Sequence, residues 1–243
     1  MLNDFFVEGL KIFSLLAAAI TVILGGRLVQ ALSLRKVSGN LSNRWLIIFY
    51  SMSIGYSLFA LGDLAWYLIF KLLKQAPGVS MPDFYWVLGS LLMLTAFVLL
   101  SFSFPGRHGN SWIAVLIGGG IVFIGTWLLL QTVISAQGMS SGTLFLSYYY
   151  PLVSVAITAL SVGVYFSSLE TRLSSPLAMF VAANVSVTVA DILFTYTSFQ
   201  QVYGLLGGLA DVLYLVGYAL IGTAFYQLTK NIRQQTFSSL EKN

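Results

Sequence analysis

The chain has 243 residues, of which 58% are hydrophobic, 15% aromatic and only 8% charged, and it carries a net charge of +4. So few charges cannot clothe a soluble domain in a water-compatible surface, and the composition reads as an all-α integral membrane protein. There is no cysteine, which excludes disulfides and thiolate metal sites and says nothing about compartment.

A hydrocarbon core of roughly 30 Å takes about 20 helical residues to cross. In chain order the predicted spans are Leu10–Leu32, Trp45–Phe70, Phe84–Ser103, Trp112–Val133, Leu144–Phe166, Leu177–Tyr196 and Leu209–Leu228. Short loops and a tail over 229–243 make up the rest, so residues 1–243 are expected to form one seven-helix membrane domain without a separate soluble unit. The opening "MLNDFFVEGLKIF" carries Asp4 and Glu8 where a signal peptide would be basic, and its apolar run is too long for a signal core. It reads as the first span.

The cations follow topology. Arg35, Lys36, Arg44, Arg107, Arg172, Lys230, Arg233 and Lys242 fall in the first, third and fifth loops and the tail, while the other side offers mainly Lys71 and Lys74. The positive-inside rule then places the N-terminus outside and the C-terminus in the cytoplasm. The expected setting is a prokaryotic inner membrane, with the lipid bilayer as partner and no nucleic acid. The single His108 stands in the polar loop "FPGRHGNS" with no second ligand nearby and reads as a solvated residue.

Laid over itself at an offset of 128 residues, the chain repeats. "DFYWVLGSLLMLTAFVLL" from Asp83 falls on "DVLYLVGYALIGTAFYQL" from Asp211 without a gap, Arg44 falls on Arg172, and Asp63 falls on Asp191. Apolar matches are cheap in a membrane protein, whereas aspartates are rare here and count for more. The expected plan is a three-plus-one-plus-three parallel repeat: one unit over about 10–103, a linker helix over 112–133 and a second unit over about 144–228. Repeats of this kind build a pocket or pathway between their halves.

Four of the eight acids, Asp63, Asp83, Asp191 and Asp211, fall in or beside spans on the outward side. Asp83 follows Pro82, and Asp211 begins a span, so both read as helix caps as readily as ligands. Asp63 and Asp191 lie toward helix C-termini, where the dipole opposes a negative charge; they are either polar links between helices or a site. With no lysine or arginine deep in the outer half, unless Lys71 or Lys74 folds back, these carboxyls need aromatic or hydroxyl donors or a bound cation. Trp66, Trp86, Tyr149 and Tyr214 stand at the same level, with Tyr67, Tyr85, Tyr196, Tyr203, Tyr218 and the rest of "YYY" at 148–150. The same aromatics also read as an interfacial belt. The glycines at 118–120, Gly25 with Gly26, and Gly204 with Gly208 read as helix packing.

The segment "DVLYLVGYALIG" from Asp211 resembles the retinal-binding helix of microbial rhodopsins, with Asp211 at the counterion position. Leu215 stands where their lysine would be, and "MPDFYW" lacks the arginine before the aspartate, so the resemblance implies the shape without a Schiff base. More widely, "GYSLFALGDLAWYL", "PDFYWVLGS", "YYYPLVSVAITAL", "VADILF" and "LADVLYLVGYALIG" are similar to seven- or eight-helix membrane domains that precede diguanylate cyclase or kinase modules in bacteria. That resemblance implies an input domain, and because this chain ends at Asn243, its signal would pass to a separate partner. SWEET-type sugar carriers share the repeat plan, but their Pro-Gln pair is absent.

No P-loop, HExxH, GxSxG or dinucleotide fingerprint occurs, so neither enzymatic activity nor a cofactor or metal is expected. The expected function is a receptor or sensor module that binds a small apolar or cationic ligand in an outward pocket between the repeats. Its alternatives are a small-solute, proton or cation transporter and an assembly factor for other membrane proteins. A cytoplasmic or membrane protein partner and a second copy of the chain are further expected contacts.

Overall fold

A computed structural model of the chain describes residues 4–37, 42–73, 79–104, 109–134, 139–200, 202 and 204–233. Lys74, Arg107, His108, Tyr203 and Lys242 lie outside the described residues, as do the side chains of Lys36 and Lys71. Among the described residues there are seven α-helices and no strand: α1 Asp4–Val37, α2 Asn43–Leu73, α3 Met81–Ser101, α4 Gly109–Val133, α5 Ser141–Ser167, α6 Ser174–Gln200 and α7 Gly204–Arg233. All seven are long and apolar enough to cross a bilayer, the architecture of a multi-pass integral membrane protein.

Several helices outrun the apolar windows that predict them. The first has 34 residues, about 50 Å at 1.5 Å per residue, and the last continues to Arg233, so the tail expected from 229 begins as helix. Hydropathy marks where water meets the chain, whereas the backbone keeps its internal hydrogen bonds through the interface and beyond.

Local chemistry sets the starts. Before α3, the Ser80 N–H donates to Asp83 Oδ2 at 2.7 Å, and Pro82 sits in the first turn, where its missing N–H costs nothing. Before α5, Ser140 Oγ accepts the Thr143 N–H at 3.2 Å, a side-chain cap. Pro151 lies inside α5, a position that membrane helices tolerate because neighbouring groups satisfy the freed carbonyl.

Six helices close a ring in the order α1, α2, α3, α5, α6, α7 and back to α1, while α4 packs outside against α5 and α6. Helices α1 and α7 run side by side in the same direction: Ser14 Oγ donates to the Asp211 carbonyl at 3.5 Å and Thr21 Oγ1 to the Tyr218 carbonyl at 2.8 Å, both across 197 residues. The backbones of α2 and α3 nearly touch, since a Cβ on Gly89 would stand 2.8 Å from the Gly55 carbonyl oxygen. Of the glycines expected to pack, Gly25 and Gly119 meet close neighbours, Ser53 of α2 and Ala159 of α5, whereas Gly118, Gly120, Gly26 and Gly204 face open space; close packing also falls on Gly55, Gly89 and Gly217.

Across the centre of the ring, α2 and α6 meet through side chains. Tyr56 stacks on Phe180 at 5.9 Å, and Phe97 and Phe225 close on Phe180 edge-on at 6.3 and 5.5 Å. Tyr56 donates its hydroxyl to Asn184 Oδ1 at 3.0 Å. This aromatic layer is the floor of the candidate site.

Candidate functional site

Asp63 lies seven residues beyond Tyr56 on α2, and Asp191 seven residues beyond Asn184 on α6, so each stands about 10 Å along its helix from the aromatic floor. Their helices run on to Leu73 and Gln200, which puts both acids about 14–15 Å from a helix end.

Every oxygen of the two carboxylates has a donor. Asp63 Oδ1 accepts the indole N–H of Trp86 at 2.9 Å, and Oδ2 accepts the Tyr218 hydroxyl at 2.5 Å. Asp191 Oδ1 accepts the Tyr214 hydroxyl at 2.6 Å, and Oδ2 accepts the Ser154 hydroxyl. Asp63 therefore joins α2, α3 and α7, and Asp191 joins α5, α6 and α7. The donors Trp86 and Tyr214 each stand 23 residues after their acid. Tyr214 and Tyr218 sit one turn apart on α7, so both acids converge on that helix, within electrostatic reach of each other.

Asp83 does two things at once. Its Oδ2 caps α3 through Ser80, and its Oδ1 accepts the Tyr150 hydroxyl at 2.7 Å, tying α3 to α5. Trp66 lies against Trp86 at 6.0 Å, and Tyr150 meets Trp86 edge-on at 5.9 Å. The aromatic faces thus link Asp63 to Asp83.

Two expectations need correction. Asp211 does not begin its helix: α7 starts at Gly204, whose φ of +25° suits glycine, so Asp211 is the eighth residue and cannot cap the first turn. It lies within electrostatic reach of Tyr214, beside the Asp191 pair. Of the three tyrosines at 148–150, Tyr150 serves the acid, while Tyr149 bonds Ser90 at 2.7 Å. The eight residues Asp63, Asp83, Asp191, Asp211, Trp66, Trp86, Tyr149 and Tyr214 are all half-buried, neither sealed in the core nor fully open.

Sequence reasoning missed Ser154, Gly62, Tyr56 and Asn184. A Cβ on Gly62 would stand 2.5 Å from Trp86 Nε1, so this glycine makes the seat for the indole that serves Asp63. At Asp191 the preceding residue is the fully buried Ala190, and the donor is the smaller Tyr214. Beneath the acids, the buried Asn184 Nδ2 has no hydrogen-bond partner among the described residues. An unpaired buried amide costs free energy that a water or a ligand acceptor recovers. Ser154 lies four residues after Tyr150 on the same face of α5, a spacing that connects the two acid sites.

Compared with known proteins, the chain matches no family model, no curated protein sequence and no solved structure.

Proposed function

We propose that the protein is a non-enzymatic membrane receptor or sensor-like module that takes a small organic cation into an outward-facing cleft between two parallel repeats. The observation that carries this reading is the pair of acid and aromatic contacts, Trp86 on Asp63 and Tyr214 on Asp191, at one spacing and one offset. Swapping the halves also exchanges neighbours: α2 with α3 for α6 with α7, α1 with α2 for α5 with α6, and α1 with α7 for α3 with α5. Tyr56 and Asn184, bonded to each other, stand 128 residues apart, as do Phe97 and Phe225. These relations support the three-plus-one-plus-three plan with its pseudo-twofold axis through the aromatic layer.

A cation follows from the chemistry. Each carboxylate oxygen accepts one bond and keeps a second lone pair, and the faces of Trp66, Trp86 and Tyr150 attract positive charge. The half-buried state of these residues supports access from outside, given the orientation that the cation asymmetry favours. The aromatic layer closes the centre of the ring beneath the acids, which favours a receptor over a through-pathway. In this reading the membrane is the prokaryotic inner membrane, and the signal leaves at the cytoplasmic end.

Native mass spectrometry of the purified protein tests the proposal. A small cationic molecule should copurify with the wild type and be lost from the Asp63→Asn, Asp191→Asn double variant. A wild type that neither retains such a molecule nor binds added tetramethylammonium at these acids contradicts it.

A further inference from the structure

At the opposite end of the bundle, a partly open cavity of about 250 Å3 lies between α1 and α7, lined by Leu24, Arg27, Tyr226, Thr229, Lys230 and Arg233. Three of the six are cations from two helices. None of the three has a hydrogen-bond or ion-pair partner among the described residues. Glu170, in the turn between α5 and α6, is exposed and makes no ion pair with them.

Topology accounts for only part of this. Lys230 and Arg233 fall in the last turn of α7, where they suit the helix dipole and the inner interface. Arg27 does not fit that explanation. It lies ten residues before Val37, the last residue of α1, about 15 Å short of the helix end and inside the expected span Leu10–Leu32, whereas Lys230 and Arg233 lie beyond the expected span Leu209–Leu228. A charged side chain inside a span is costly unless it is paired or faces a polar cavity. Because α1 and α7 run parallel in register, Arg27 stands level with Ala224, about 9 and 14 Å deeper along the bundle than Lys230 and Arg233. Three like charges around one cavity repel one another until an anion sits between them. Leu24 and Tyr226 supply apolar wall.

We propose that this cavity is a binding site for a phosphate group, held by Arg27, Lys230 and Arg233. The same chemistry is offered by the head group of an anionic phospholipid and by free phosphate; basic pockets between membrane helices are a known way of holding the former. The inference is independent of the receptor reading, since it uses the other end of the bundle and none of its residues.

The full-length protein, purified in detergent and exposed to phosphatidylglycerol, is to be compared by native mass spectrometry with the Arg27→Gln, Lys230→Gln, Arg233→Gln variant. A control variant, Lys36→Gln, Arg172→Gln, Lys242→Gln, loses the same charge elsewhere. Retention of phosphatidylglycerol by the wild type and the control, with at least a tenfold loss in the cavity variant, supports the site with a lipid as its source. A rise in melting temperature with inorganic phosphate, present in the wild type and control but absent in the cavity variant, and without lipid retention, supports it with free phosphate as the source. Equal loss in both variants, or no difference between the wild type and the cavity variant in either assay, overturns it.

Discussion

Trp86 reaches Asp63 because residue 62 is glycine, and the contact is a matched fit of a large donor to an absent side chain. Trp86→Phe keeps an aromatic ring of smaller size and removes the N–H, leaving one carboxylate oxygen without its donor at a cost of about 1–3 kcal/mol. Gly62→Ala should cost a comparable amount, about 1–3 kcal/mol, by forcing the indole aside. Thermal unfolding of the two single variants and the double should show that the losses do not add, because the alanine has already broken the bond that phenylalanine removes. Full additivity would mean that Gly62 does not seat the indole. At this scale the sequence was informative where residues were rare: Asp63, Asp191, Trp86 and Tyr214 stood out because an acid in a span needs a reason and the offset paired them. Ser154, Tyr56 and Asn184 carry common polar types, and their partners lie 37 and 128 residues away. No local pattern announces such a bond.

Among the elements, the contact of α1 with α7 closes the ring, and nothing in a hydropathy profile says which spans adjoin. The chain itself allows a direct check, since it has no cysteine. A Cβ on Gly222 would stand 3.9 Å from Thr21 Cα, which puts the two Cα atoms within disulfide reach. Thr21→Cys with Gly222→Cys should therefore form an intramolecular disulfide on mild oxidation, seen as a mobility shift that a reductant reverses. Failure to cross-link while both thiols remain reactive would place α1 elsewhere. Helix number was legible because seven apolar windows are separated by polar, Gly- and Pro-containing loops. Helix length was not, and the misreading of Asp211 follows from it: "YGLLGGLAD" offers three glycines as starts, and the chain takes the first.

Over the whole molecule, Asp63, Asp83, Asp191 and Asp211 collect at the end where α2 and α6 finish and α3 and α7 begin, and Arg27, Lys230 and Arg233, which have no ion-pair partner among the described residues, collect at the other. That polarity gives the bundle a direction, and the proposed orientation follows from it. Single cysteines at Ser80 and Ser238 should react with an impermeant maleimide from outside and from inside, respectively; reversed labelling would turn the cleft toward the cytoplasm. The proposed repeat could be read from the sequence because aspartates at an offset of 128 stand out in a background of interchangeable apolar residues. The ring order and the exclusion of α4 from it could not, since both depend on which apolar faces meet. In the proposed reading, Asp63 and Asp191 are equivalent members of one acid and aromatic cluster joined through α7. A double-mutant cycle with Asp63→Asn and Asp191→Asn, read by thermal unfolding with and without tetramethylammonium, tests it most directly. The two single variants should lose similar stability and similar cation response, with an interaction between them of about 0.5–3 kcal/mol. Unequal losses that add without interaction would make the two acids separate structural links and contradict the claim.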